Sequence, residues 1–361
     1  MATNGDMFVD LDNPQSGDDK KGLLSPSDII KPFLEPDEYI EEVGDCGLYQ
    51  IRTQFIFLLF VLLLTSQIFI SYFVVHDPPW QCKQNSTLCN YTSPIFSQDH
   101  VKFNTRCEIP RSEWEFTKPR EYSIVTQFEL VCHRESYATA AHSMVFIGMG
   151  GGGLLMAYLM DKFGRKTVSF PCTFTVIFCA LLSVVANNLI LFIITRLVIG
   201  IALSGGAVFV LAAEISGPKY RALSSTMIWI YFSASMVLLT TSSYLSQNWK
   251  MVEVTMTVPF LLLILTWRYF PESIRWMRVN GKLGEAEKLL KSMAKINGKP
   301  EPYARLRKES QTHKTATFLH LFYPLQIFVQ TVIQALAWLV VLYNNTIRLS
   351  VCVCLYLLLL M

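Results

Sequence analysis

The chain has 361 residues, 52% of them apolar, 16% charged and 13% aromatic, with a formal net charge of +3. A soluble domain carries about 25% charged residues, so this chain is depleted, and so small a net charge gives no argument for nucleic acid. The apolar residues are gathered in long runs: 53–75, 136–160, 167–195 and 222–249 contain no Asp, Glu, Lys or Arg. A membrane span needs about 20 apolar residues, so these runs exclude an ordinary soluble enzyme, a disordered tail and a single-span anchor.

In chain order, residues 1–52 are polar and acidic and lack the basic-then-apolar pattern of a signal peptide. They are expected to form a cytosolic tail, flexible up to about Lys31. Span one follows at 53–75, then a large outer loop at 76–135, spans two to six within 136–270, a cytosolic helical loop at 271–317, and a seventh span with an atypical tail at 318–361. Within that layout the later spans are expected near 136–160, 167–187, 189–213, 223–246, 250–270 and 322–343. The sixth is the weakest, because Glu253 and Arg268 crowd it and Pro259 sits inside it; Pro is tolerated in membrane helices where neighbours satisfy the freed carbonyl.

Orientation follows from the basic loops. Lys162, Arg165 and Lys166 follow span two, Lys219 and Arg221 follow span four, and a dense run of Lys and Arg extends from Arg275 to Lys314. The positive-inside rule puts these loops in the cytosol and the loop 76–135 outside. That outer loop carries Cys82, Cys89, Cys107 and Cys132, an even number in an oxidising compartment, so disulfides are expected with their pairing open. Cys46, Cys172, Cys179, Cys352 and Cys354 are expected as free thiols. Asn85-Ser-Thr and Asn90-Tyr-Thr are glycosylation acceptors in the same loop, which agrees independently with the orientation. In the inner loop, residues 282–295 place Leu283, Ala286, Leu289, Leu290 and Met293 at helical spacing. The reading is a helix lying against the inner ends of the spans, with a calmodulin or lipid surface as the alternative.

Some motifs are decoys. Residues 148–153 fit GxGxxG, but they lie inside an uncharged run with no strand before them, so the dinucleotide reading fails. Gly148 and Gly152 instead suit close helix packing, as do Ser204, Gly205 and Gly206. No paired intramembrane carboxylates, metal-ligand spacing or nucleophile motif is present; His142 and His320 are lone histidines near apolar runs. No enzyme, cofactor or metal is expected.

The sharpest signal is the turn after span two, Ala157-Tyr-Leu-Met-Asp161-Lys-Phe-Gly164-Arg165-Lys166. It resembles the loop signature of the major facilitator superfamily, G-x-L-x-D-R-x-G-R-[RK], with Ala157 for the first Gly and Lys162 for the first Arg. Arg196-Leu-Val-Ile-Gly200, the pair Glu214 and Arg221, and Pro271-Glu272-Ser273-Ile274-Arg275 resemble further motifs of that superfamily. The long Cys-rich loop, its end at 122–132 and the stretch 42–50 narrow the resemblance to the organic cation, anion and zwitterion (carnitine-type) transporter family. Four loop cysteines stand where that family usually has six.

The resemblance implies an all-α polytopic membrane protein of the facilitator fold, truncated to the N-terminal six-helix half plus a seventh span. It implies transport of small organic ions by alternating access between two halves. Asp161, Gly164, Arg165, Lys166, Glu214, Arg221, Glu272 and Arg275 would form a cytosolic latch. Arg196, about a third of the way into span four, is a functional candidate by its depth alone; the alternatives are snorkelling or a packing ion pair. Trp229, Tyr231 and Phe232 are candidates to line a cavity and attract organic cations. A facilitator of this family has twelve spans, so a fragment or shortened form is expected. Its partners would be the bilayer, a small organic ion, and a full-length relative or a second copy. The plasma membrane is the expected location for a complete version, and retention in the endoplasmic reticulum for a truncated one. A non-transporting membrane protein and a sugar porter are the competing readings.

Overall fold

The computed structural model describes residues 33–306, apart from 84–85, 87–88, 90–94, 99, 101–102 and 303–304, and a few positions between 325 and 336. The expectations for residues 1–32, for Asn85 and Asn90, for Cys352 and Cys354, and for most of the seventh span and its tail lie outside the described residues. The elements below all belong to the unit Met1–Lys308.

The protein is a multi-pass membrane protein. Among the described residues, six helical segments are long and apolar enough to cross a bilayer: Leu48–Val74, Cys132–Phe163, Arg165–Val185, Leu189–Ile215, Arg221–Ser246 and Trp249–Arg268. In chain order the helices are α1 (Pro36–Val43), α2 (Leu48–Val74), the short α3 (Ile124–Phe128), α4 (Glu135–Phe163), α5 (Arg165–Val185), α6 (Leu189–Leu203) and α7 (Val208–Ile215). They continue with α8 (Arg221–Ser246), α9 (Trp249–Thr257), α10 (Ile274–Val279) and α11 (Leu283–Ile296). The sixth segment changes from α9 to a 3-10 helix at Val258–Arg268. Pro259 lies at the second residue of that 3-10 stretch, as its missing N–H and fixed φ would require.

The fourth segment is not one helix. It breaks between α6 and α7, where Gly205 and Gly206 let the backbone pack on Cys172 of α5 and Leu64 of α2. A break inside a bilayer leaves backbone groups that must find partners within the protein. Ser169 of α5 supplies them: its hydroxyl donates to the Gly205 carbonyl at 3.0 Å and accepts from the Ala207 N–H at 3.2 Å.

The most intimate helix contact is α4 on α6. A Cβ on Gly148 would stand 2.4 Å from the Leu197 carbonyl oxygen, one on Gly152 2.8 Å from Ile201 Cα, and one on Gly200 2.1 Å from the Val145 carbonyl oxygen. Small residues permit this approach, and dispersion between closely packed backbones stands in for the hydrophobic effect that lipid does not provide. The packing reading of Gly148 and Gly152 holds, and their partner is α6 within this same set of helices.

Residues 33–52 are not a plain tail. A two-residue strand β1 (Phe33–Leu34), α1 and the first turn of α2 are folded there, and Tyr39, Ile40 and Val43 are buried. β1 pairs in parallel with a strand at Arg305–Leu306. Helix α11 buries Ala286, Leu290, Met293 and Ala294 in the same cluster as α1 and the start of α2. Asn297 joins the three ends: its amide donates to the Val43 carbonyl and to Gln50 Oε1 and accepts from the Tyr49 N–H. The inner-loop helix therefore lies against span ends, as its apolar stripe requires.

The large loop is a packed domain at the opposite end. A strand at Trp80–Cys82 pairs antiparallel with one at Trp114–Phe116. Its core holds Trp80, Phe96 and Trp114, and it is continuous with Ile70, Val74, Ala141 and Val252 of the helices below. Of the open pairings, the structure takes Cys82–Cys89 and Cys107–Cys132. Arg106 is buried in an ion pair with Asp77 and stacks 4.3 Å over Phe103.

The α4–α6 geometry makes a paired prediction. Gly148→Leu should lower the melting temperature of the detergent-purified chain, since overpacking costs about 1–3 kcal/mol. Gly151→Leu, whose Cβ would meet nothing within 4 Å, should leave it close to the parent. Equal losses from both would contradict the close crossing.

Candidate functional site

The motif residues converge at the end of the bundle that carries the basic loops. Helix α4 stops because Gly164 takes φ +103°, a conformation L side chains rarely adopt. A Cβ there would also strike Glu272, whose carboxylate approaches the turn. No side chain of the turn itself caps α5. Glu272 does so from the segment after the sixth span: Oε1 accepts from the Arg165 N–H at 2.8 Å, and both oxygens accept from the Lys166 N–H at 3.2 Å. A carboxylate at a helix N-terminus meets free N–H groups and the positive end of the dipole together.

The residues around Glu272 have separate duties. Ser273 caps α10 by accepting from the Trp276 N–H, and Trp276 Nε1 donates to the Asp161 carbonyl at 2.8 Å. The Asp161 side chain pairs with Arg165 one turn on, at 3.2 Å, and is largely exposed.

Arg221 and Arg275 depart from the expected pairing. Arg221 donates to the Ala213 carbonyl and to Asp37, and Arg275 donates to both oxygens of Asp37, at 2.8–3.1 Å. Asp37 belongs to α1, so one carboxylate gathers the start of α8 and the start of α10. Beside it Glu35 pairs with Arg278. Glu214 makes no ion pair with Arg221 among the described residues, and its Oε2 is buried without a hydrogen bond. Partial burial raises the Asp37 pKa, but the hydrogen bonds and charges of Arg275 and Arg221 outweigh it and hold the carboxyl below its ordinary value.

Deeper in the bundle, Arg196 of α6 is wholly buried and lines no open space. It donates to Glu253 of α9 at 2.8 Å and to Ser183 of α5 at 3.2 Å, and stacks 4.7 Å from the Phe192 ring centroid. Glu253 is equally buried. One turn on, Thr257 accepts from Gln67 of α2 at 3.1 Å. None of the Arg196 partners belongs to the aromatic group on α8. There Trp229 is exposed and sits 5.7 Å from Phe232, which meets Phe69 of α2 edge-on at 5.5 Å; Tyr231 and Phe232 are half-buried. The structure therefore separates the candidate cavity residues into a closed ion pair and an aromatic strip.

The sugar (and other) transporter family matches residues 93–348, well over half of the chain. The chain belongs to this family. Its relatives include organic cation and carnitine-type members of the major facilitator superfamily. Organic cation transporter 1 of Caenorhabditis elegans is 27% identical over 88% of this chain and 62% of its own length. Solute carrier family 22 member 7 of Rattus norvegicus is 30% identical over 56% of this chain and 38% of its own. Organic cation/carnitine transporter 2 of Homo sapiens is 32% identical over 51% and 34%. The chain thus spans less than two thirds of the length of these relatives. A partially occluded inward-open structure of the xylose transporter XylE from E. coli aligns over 69% of the chain at 17% identity, with a TM-score of 0.47.

In this family member two site residues escape a sequence reading. Glu253 counts there only as a blemish on a weak span, and Asp37 only as one acid in a polar tail. Charge at depth was the available signal for Glu253; nothing local marks Asp37.

The Asp37 clamp predicts a pH-dependent effect. A carboxyl held below its ordinary pKa contributes stability above that value, and the contribution is lost as pH falls through the lowered one. At pH 7, Asp37→Asn should lower the melting temperature by a few degrees, the size that about 1 kcal/mol gives in a domain this large. The gap to the parent should begin to narrow as pH falls to about 4 and close only below the lowered pKa of the folded carboxyl, and Asp37→Glu should lose less. Identical melting curves for parent and Asp37→Asn at pH 7 would mean that the clamp is idle.

Proposed function

We propose that this chain forms the first half of a carrier for small organic ions that works by alternating access. Its basic-loop end faces the cytosol, and the disulfide-bonded domain with Asn85 and Asn90 faces outward. The observation that carries the reading is the meeting of three separated motif segments at one end of the bundle: the Gly164 turn, the Arg221 helix start and the 271–276 segment. Residues so far apart in sequence have no reason to meet merely to set topology, since loop charge alone does that.

Asp161, Gly164, Arg165, Lys166, Arg221, Glu272 and Arg275 form the latch, with Asp37 as the acid shared by Arg221 and Arg275; Glu214 is the acid held in reserve. With these ties made, the ends of α1, α4, α5, α8 and α10 are fastened together, and a path toward that side is narrowed. Exposed pairs are worth only about 0–1 kcal/mol each, so a ligand with differential affinity for two states can undo them. Trp229, Tyr231 and Phe232 supply aromatic faces suited to an organic cation. The organic cation and carnitine named in the relatives' titles make these ions the first to try.

The test is uptake in cells. The chain is joined to the second half of a relative such as organic cation/carnitine transporter 2, and surface expression is verified. Saturable uptake of a radiolabelled quaternary ammonium or carnitine is expected, falling sharply in Arg165→Ala and less in Arg165→Lys. A surface-expressed protein that takes up no organic cation, organic anion or carnitine above background would contradict the proposal.

A further inference from the structure

A cavity of about 270 Å³ opens at the basic-loop end, among the ends of α2, α5, the Val258–Arg268 helix and α11. Its charged lining is lopsided: Arg52, Lys166 and Arg268 face a single acid, Glu272. Glu272 is already committed, because its oxygens accept the N–H groups of Arg165, Lys166 and Ser273. Two of the three cations, Arg52 and Lys166, are held by rings. The Arg52 guanidinium lies 5.0 Å from the Tyr49 centroid and 5.5 Å from that of Tyr269, and Lys166 Nζ lies 4.6 Å from that of Trp267. A cation on an aromatic face is positioned without spending its hydrogen-bond donors. The Nε of Arg52 is buried and has no hydrogen-bond partner, and among the described residues no acid pairs with Arg52 or Arg268.

The cavity therefore offers fixed, unspent positive donors, which fit an anion rich in acceptor oxygens. Its surroundings say where that anion comes from. Trp267 and Tyr269 at its edge are about half exposed, and beside them Leu262 and Leu265 are more exposed still. Aromatic residues bordering exposed aliphatic ones mark the level where hydrocarbon gives way to headgroups. A ligand seated there would have lipid along one side.

We propose that the cavity between Arg52, Lys166 and Arg268 binds the phosphate headgroup of an anionic membrane lipid. Basic pockets between membrane helices are suited to such headgroups. The site does not depend on transport. It does couple to the latch, since Lys166 and Glu272 belong to both, and a bound headgroup would offset the excess positive charge of that junction while Glu272 keeps its N–H partners at the α5 N-terminus.

The experiment titrates dioctanoyl phosphatidylinositol 4-phosphate onto the detergent-purified 361-residue chain and follows the lipid adduct by native mass spectrometry. Dioctanoyl phosphatidylcholine serves as the neutral control and inorganic phosphate as the soluble competitor. A saturable single adduct is expected with the anionic lipid, and much weaker binding of phosphatidylcholine. Arg52→Gln and Arg268→Gln should each weaken it about fivefold, the share of one basic residue near an anionic headgroup. Lys288→Gln removes the same charge from the exposed face of α11 outside the cavity and should leave binding unchanged. Arg268 is exposed, so its replacement keeps the test alive if Arg52→Gln does not fold. Equal weakening by Lys288→Gln would overturn the proposal in favour of diffuse surface charge. Displacement of the lipid by inorganic phosphate at equal concentration would overturn it in favour of a soluble anion, and equal binding of phosphatidylcholine would remove the anion requirement altogether.

Discussion

A guanidinium and a carboxylate lie wholly buried among membrane helices in this protein, 2.8 Å apart. Neither Arg196 nor Glu253 could occupy its position alone. An uncompensated charge at such depth is costly by any scale, and removing one partner of a buried pair leaves exactly that charge behind. The two helices that carry them, α6 and α9, are therefore fixed in register to each other. Ser183 extends the constraint to α5, and the Gln67–Thr257 hydrogen bond, one turn from Glu253, extends it to α2. Along α6, the glycines at 148, 152 and 200 bring α4 within backbone contact. One polar knot and one glycine seam thus determine where five of the membrane helices sit.

With the middle fixed, the two ends can be built differently. The disulfide-bearing end is apolar and cross-linked: its aromatic core runs without interruption into the helix tops, and Trp249 Nε1 bonds Gln127 across the junction. The basic-loop end packs α1, α10 and α11 on an apolar cluster and adds polar ties, most of them partly exposed. Its ties are individually weak and collectively specific, because Glu272, Arg275 and Trp276 each bond a different element.

Most of the crossing segments were legible because charge is absent or sparse over the length a bilayer demands; the sixth, with Lys250, Glu253 and Arg268, was the least so. The Gly164 turn, the apolar stripe of α11 and the packing glycines were legible for the same kind of reason: the physics is local. Glu253 was not, since hydropathy counts it as a defect and its partner lies 57 residues away in sequence. Asp37 was not, because an acid among acids gives no hint that α1 folds back onto α10, and its bonds to Arg275 span 238 residues. The break between α6 and α7 was only half legible. Gly205 and Gly206 signalled close approach, but whether the helix continued depended on Ser169, a side chain on another helix.

The most direct test of this account is a double-mutant cycle on the buried pair, read as thermal unfolding of the detergent-purified chain. Arg196→Met and Glu253→Met should each destabilise strongly, by about 3–5 kcal/mol, because each strands a buried charge. Arg196→Met/Glu253→Met should lose far less than the sum of the two. Additive losses would contradict the central claim, since they would mean that the two charges are satisfied separately and that the helices take their register from something else.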